Sequence, residues 1–126
     1  MKKFITNNPC FILVVLTILI IVSACSSNEK NIIGLWDTGD KRRPIEFMEN
    51  GKAIEWEYRS DYREGGNKDV NEEWTWVIQD NQLILTRIKN PNQNLSYKLL
   101  GIDDKTMKLE SSEGMGLVFT KIIKNK

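Results

Sequence analysis

From Ile32 onward the sequence predicts an all-β domain, an antiparallel up-and-down sheet of eight short strands curled into a small barrel. Three observations predict it. No apolar period near 3.6 residues survives anywhere after Ile32, whereas short alternating runs recur. The runs are separated by turn residues such as Asn50-Gly51, Asp80-Asn81 and Asn90-Pro91-Asn92. Connections as short as these turns cannot hold parallel crossovers, which need a dozen residues or more, so the strands they join pair antiparallel.

The strands follow in order as Ile33–Thr38, Pro44–Met48, Ala53–Arg59, Glu73–Gln79, Gln82–Lys89, Leu95–Ile102, Thr106–Glu110 and Gly116–Ile123. Asn50-Gly51 joins the second and third, because both residues accept the positive φ of a tight hairpin. Asp80-Asn81 is a second two-residue turn. Asp103-Asp104 closes the connection after the sixth strand, and Gly114 and Gly116 flank the last. Side chains two apart share a face. Parity therefore groups Ile54, Trp56 and Tyr58 against Glu55, Glu57 and Arg59, and Trp74, Trp76 and Ile78 against Thr75 and Val77. Leu83 with Leu85, Met107 with Leu109, and Leu117 with Phe119 complete the inward set. A flat eight-stranded sheet would leave its edges unpaired and its aromatic face wet, and closure into a barrel removes both problems. A two-layer sandwich is the alternative that these turns allow.

Ahead of this domain the chain has a different character. Lys2 and Lys3 precede Phe11–Val22, a twelve-residue run that is apolar except for Thr17. Spanning a bilayer takes about 20 apolar residues, whereas an export signal uses a run of roughly 7–15. Val22-Ser23-Ala24-Cys25 follows, small residues suited to a signal peptidase and then a cysteine. It resembles the lipobox of bacterial lipoproteins. The resemblance implies that residues 1–24 are removed, that Cys25 carries a thioether-linked diacylglycerol, and that its new amino group receives a further acyl chain such as palmitate. Residues 25–31 then form the lipidated cysteine and a short polar tether, and residues 32–124 the barrel. The implied address is the bacterial cell envelope. In a Gram-negative cell the outer membrane is favoured, because Ser26 is not the aspartate that retains lipoproteins at the inner membrane. A plain secretory signal or an anchor helix is the blander alternative. Cys10 leaves with the signal and Cys25 is consumed by lipid, so the domain holds no disulfide and relies on packing.

The barrel also has a family resemblance. Gly34-Leu35-Trp36 on the first strand is similar to the Gly-x-Trp of the lipocalins, especially the small lipocalin-like domains of bacterial lipoproteins. The ordered segments IEFMENGKAIEWEY, WTWVIQDNQLIL, YKLLGIDDKTMKLES and LVFTKI extend the likeness over most of Ile32 to Ile123. It implies that Gly34 lets the chain bend into the barrel and that Trp36 plugs the closed end. Lys121 stands where the family has an arginine across that indole, and a lysine covers it by cation–π contact without planar stacking. The family's Thr-Asp-Tyr is absent, and the chain is short for a lipocalin.

Composition narrows the functions. The 126 residues include 18 basic and 17 acidic ones and no histidine. After loss of Lys2 and Lys3 the balance is 16 to 17, which gives no basic excess for nucleic acid. Without histidine the commonest general base and the usual zinc ligand are missing. Glu72-Glu73 and Asp103-Asp104 are sequence neighbours that point to opposite faces in extended chain, so neither pair shares a site. No cofactor motif, calcium loop or nucleophile elbow occurs, and the reading is a protein that is not an enzyme, with no metal and no cofactor. Trp56, Tyr58, Trp74 and Trp76 are candidate lining for an apolar ligand, with plain barrel core as the alternative. Lys41-Arg42-Arg43 is a candidate anion contact or a solvated loop, and Ser60–Asn71 a candidate lid or hairpin tip. Two functions remain open: a membrane-anchored module binding a small apolar or amphipathic molecule, and an envelope interaction protein with a filled barrel that meets a partner protein through its loops.

Overall fold

The computed structural model describes residues 27–123. The signal segment, Cys25 and Ser26 lie outside the described residues, as do the last three. Eight strands follow one another as β1 Gly34–Asp37, β2 Ile45–Phe47, β3 Lys52–Tyr58, β4 Lys68–Gln79, β5 Gln82–Arg87, β6 Asn94–Ile102, β7 Thr106–Glu110 and β8 Gly116–Lys121. Each pairs antiparallel with the next, and β8 returns to β1 through Trp36 opposite Lys121 and Asp37 opposite Thr120. The barrel is closed, and the sandwich alternative falls with that seam.

Two hairpins show how the turns set register. Asp80 and Asn81 have φ of 52° and 64°, a type I′ turn that matches strand twist. At Asn50-Gly51 only Gly51 is left-handed, with φ 81°. Its N–H donates to the Met48 carbonyl at 3.2 Å, and the Met48 N–H donates to the Lys52 carbonyl at 2.9 Å. This is a type I turn followed by a left-handed glycine, one residue longer than the tight hairpin that the sequence suggests.

That extra residue matters, because a register slip of one moves every side chain to the other face. On β3 it is Ala53 that points inward, fully buried opposite Phe47 on β2 and Trp74 on β4. The methyl group fits between two large rings. Ile54 and Trp56 therefore face outward, which reverses the parity assignment made from their hydrophobicity. β4 also starts five residues earlier than its alternation suggests. Lys68, Asp69 and Val70 pair with Tyr58, Glu57 and Trp56, and a bulge leaves Asn71 without a partner on β3. This stretch is polar, so pairing with β3 makes it a strand and periodicity does not reveal it. The candidate lid Ser60–Asn71 is therefore limited to residues 60–67, which contain the 3₁₀ turn Tyr62–Glu64.

The core runs along the barrel axis. Trp36, Phe47, Ala53, Leu83, Met107 and Leu109 are each at most 1% exposed, and Ile78, Leu85 and Leu99 pack against them. Leu117 and Phe119 close the same cluster from β8. Residues 27–32 are helical rather than an extended tether, and Ile32 at their end is completely buried.

Candidate functional site

The two ends of the barrel differ in character. One end is sealed. The indole Nε1 of Trp36 donates to the Ile32 carbonyl at 2.8 Å, and Lys121 Nζ donates to the Asn31 carbonyl at 2.8 Å. Both bonds satisfy carbonyls that a helix leaves unpaired at its C-terminus, where a positive charge is also favourable. Lys121 Nζ lies 5.0 Å from the centre of the Trp36 ring. Gly34 has φ 135°, and a Cβ on it would meet Lys121 Cε at 3.4 Å. A side chain there would be strained and would press on the lysine stem. Trp76 belongs to this end as well. Its Nε1 donates to the Met48 carbonyl at 3.0 Å, and its ring stands edge-on to Phe47 with centroids 5.9 Å apart.

Towards the other end the interior opens into a lumen of about 150 Å³. Trp74, Leu83, Leu85, Leu95, Tyr97 and Phe119 form most of its wall, and Glu55 and Thr38 contribute polar groups. Leu95 and Tyr97 are shared with a recess of about 460 Å³ near Ser111 and Met115. Trp74 and Leu95 are shared with another of about 350 Å³ beside Arg87 and Gln93. Leu95, 43% exposed, is the common wall of all three spaces and forms the mouth of the barrel.

Of the four aromatic residues predicted to line a ligand site, only Trp74 borders the lumen. Trp56 stands on the outer wall, where its Nε1 donates to Glu46 Oε1 at 3.0 Å and Lys68 Nζ sits 4.0 Å from its ring centre. Tyr58 is buried outside the barrel against Tyr62, with ring centroids 6.4 Å apart. Trp76 lines a separate recess of about 570 Å³ at the sealed end, with Glu29, Lys30, Ile33 and Glu49. The parity reading brought these rings together, and the β3 register separates them. In their place the lumen has Leu95, Tyr97 and Glu55, which the sequence reading left unassigned or turned outward. Tyr97 carried a usable signal, since it shares parity with Leu95 and Leu99 on β6.

Electrostatics at the mouth are largely self-contained. Arg43 Nη2 donates to Glu57 Oε1 at 3.0 Å, and Arg42 Nε donates to the Tyr58 carbonyl at 3.0 Å. The Arg42-Arg43 pair thus ties the β1–β2 connection to β3. Arg87 lies 5.1 Å from the Trp74 ring centre, with Nε 3.7 Å from Glu72. Burial raises the pKa of the Tyr97 phenol, and the charge of Glu55 adds to the rise. Asp103 Oδ1 accepts from the N–H groups of Lys105 and Thr106, both at 2.8 Å, which lowers its pKa and makes it a turn-former. Among the described residues no group of three acidic, cysteine or histidine side chains could hold a metal ion.

The 3₁₀ turn is fastened across the β1–β2 connection. Asp61 caps it, with its carboxylate held down at about 2, first by the Arg63 side chain and then by the Arg63 N–H. Tyr62 N–H donates to the Lys41 carbonyl at 2.8 Å, and its hydroxyl donates to Asp37 Oδ2 at 2.7 Å. Burial, followed by that bond and the Asp37 charge, pushes the phenol up to about 12. A raised phenol pKa stabilises the fold below the unfolded value near 10, and the contribution disappears as pH rises through the folded value. Urea denaturation at stepped alkaline pH is expected to show wild type losing stability between pH 10 and 12. A Tyr62→Phe variant lacks that component, and superimposable profiles would show that the Tyr62 phenol is not held above its ordinary value.

No protein-family model matches the chain, nor does any curated protein. Two solved structures resemble it. One is a lipocalin-like protein from Bacteroides uniformis ATCC 8492, 12% identical, with a TM-score of 0.54 over 73% of this chain and 99% of that one. The other is an uncharacterized protein from Bacteroides eggerthii DSM 20697, 13% identical, with a TM-score of 0.56 over 72% and 99%. At such identity the likeness concerns fold alone, and the fold is a closed eight-stranded antiparallel barrel of the lipocalin-like kind.

Proposed function

We propose that this chain is a lipid-anchored protein of the bacterial cell envelope whose barrel binds a small apolar or amphipathic molecule. The observation that carries the binding reading is the lumen, an apolar space of about 150 Å³ walled by Trp74, Leu83, Leu85 and Phe119 and open at the Leu95 mouth. Drug-sized ligands use about 300–1,000 Å³, whereas a cavity of about 150 Å³ suits a single ring or a short chain. The ligand is therefore small, with any larger part in the recesses beside Leu95. The anchoring reading rests on Val22-Ser23-Ala24-Cys25. An anchor on Cys25 would lie two residues from Ser27, at the sealed end, so the mouth would face away from the membrane.

Titration of the chain with single-ring and short-chain apolar molecules is expected to give saturable changes in tryptophan fluorescence through Trp74. Leu85→Phe, which fills the lumen, should abolish them. An unchanged signal across the panel would overturn the binding reading. It would favour the interaction protein, which the tightly packed core and the fastened Tyr62–Glu64 turn at the mouth also suit.

A further inference from the structure

We propose that the ligand of the lumen is an organic amine, an ammonium group on a small apolar body, with Glu55 as its counter-ion; the inference rests on the lumen being a binding site. Glu55 is the single charged residue among the described residues that line this space. It projects there because the β3 register that turns Ala53 inward also turns inward the residue two further on. Glu55 is half-buried, at the edge of the lumen where apolar wall meets solvent. Here its partner is one amide, since Asn71 at the β4 bulge donates to Oε1.

The nearby cations make their direct contacts elsewhere, and Arg43 acts on Glu55 only through longer-range charge attraction. Arg43 bonds Glu57, Arg87 lies beside Glu72, and Lys68 covers Trp56 on the outer wall. Glu72, opposite Glu55 on β4, adds a second negative charge in the same region. Among the described residues nothing else donates to the Glu55 carboxylate, so its second oxygen is available to a ligand. Trp74, Tyr97 and Phe119 add aromatic rings to the wall, and π systems favour a cation. An anionic amphiphile would place like charges together. Volume limits the body to about one ring.

Three molecules with one body and different heads test this: benzylamine, benzyl alcohol and benzoate, with toluene as the headless reference. Calorimetric titrations would use the full chain in nanodiscs of zwitterionic lipid at pH 7, with empty nanodiscs as the blank. Benzylamine is expected to bind about ten-fold or more tighter than benzyl alcohol, the scale of a charge-assisted hydrogen bond, and benzoate not to bind. Glu55→Gln should remove the preference for benzylamine over benzyl alcohol, and continued binding of toluene, which has no polar head, reports that the variant is folded. Equal affinities in wild type overturn the amine assignment even if the variant does not fold, and so does a preference that survives Glu55→Gln. If toluene and benzyl alcohol bind without an amine preference, only this inference fails. If none of the four binds, the lumen is not a binding site and the reading beneath it fails too.

Discussion

Trp36→Ala is expected to destabilise the barrel by about 3–5 kcal/mol, the cost of an unfilled tryptophan-sized space in a packed interior. Three losses coincide at this position. The indole is completely buried, so its removal leaves a cavity that Phe47 and Met107, equally buried, have little freedom to fill. The Ile32 carbonyl loses its donor and becomes an orphan. The Lys121 ammonium loses the ring beneath it while remaining bonded to Asn31. Trp36 also sits at the β1–β8 seam, so the damage falls on the pairing that closes the barrel. A domain of this size has about 5–15 kcal/mol in total, and each kcal/mol is worth about 4–8 °C. The melting temperature should therefore fall by more than ~12 °C. Trp36→Phe keeps most of the apolar contact and should lose much less. Urea unfolding measures both, and an alanine variant within 1 kcal/mol of wild type would mean that the indole does not hold the sealed end.

Cys25→Ser is expected to abolish fatty-acid labelling and to move the protein from the detergent phase to the aqueous phase. The effect is all-or-none because the thioether needs sulfur and a serine hydroxyl does not replace it. One acyl chain binds membrane only marginally, so stable attachment depends on the two or three chains that a lipidated N-terminal cysteine carries. Metabolic labelling with a fatty-acid analogue, followed by phase partitioning, measures both outcomes. Label retained by the serine variant would remove the anchoring proposal and leave the barrel reading untouched, since Ile32 is the first of the described residues committed to the core.

The strand order was legible because antiparallel pairing between neighbours follows from short connections, and Asp80-Asn81 or Asp103-Asp104 need no distant partner to be turns. The inward faces of β4, β5, β7 and β8 were legible for a related reason. Trp74 and Met107 stand between polar neighbours, and Leu83 and Phe119 have one polar neighbour each, which marks the face that can be buried. Alternation fails as a guide where both faces of a strand are covered. On β3, Trp56 and Tyr58 look like core, yet Lys68, Glu46 and the Tyr62 turn shelter them outside the barrel. Ala53 and Glu55 take the inside because the Met48–Lys52 turn and the Phe47 and Trp74 rings dictate the register. The early part of β4 and the helical residues 27–32 were hidden likewise, since polar stretches acquire structure there only from what they pair with or plug. Sequence by itself determined the eight strands and their order, and the family resemblance grouped Gly34, Trp36 and Lys121. Only the tertiary structure decided that the sheet closes, that Trp74 alone of the four predicted rings meets the lumen, and that a carboxylate stands beside it. Side-chain alternation is local, whereas the direction of a face depends on register with strands that the chain reaches only after folding.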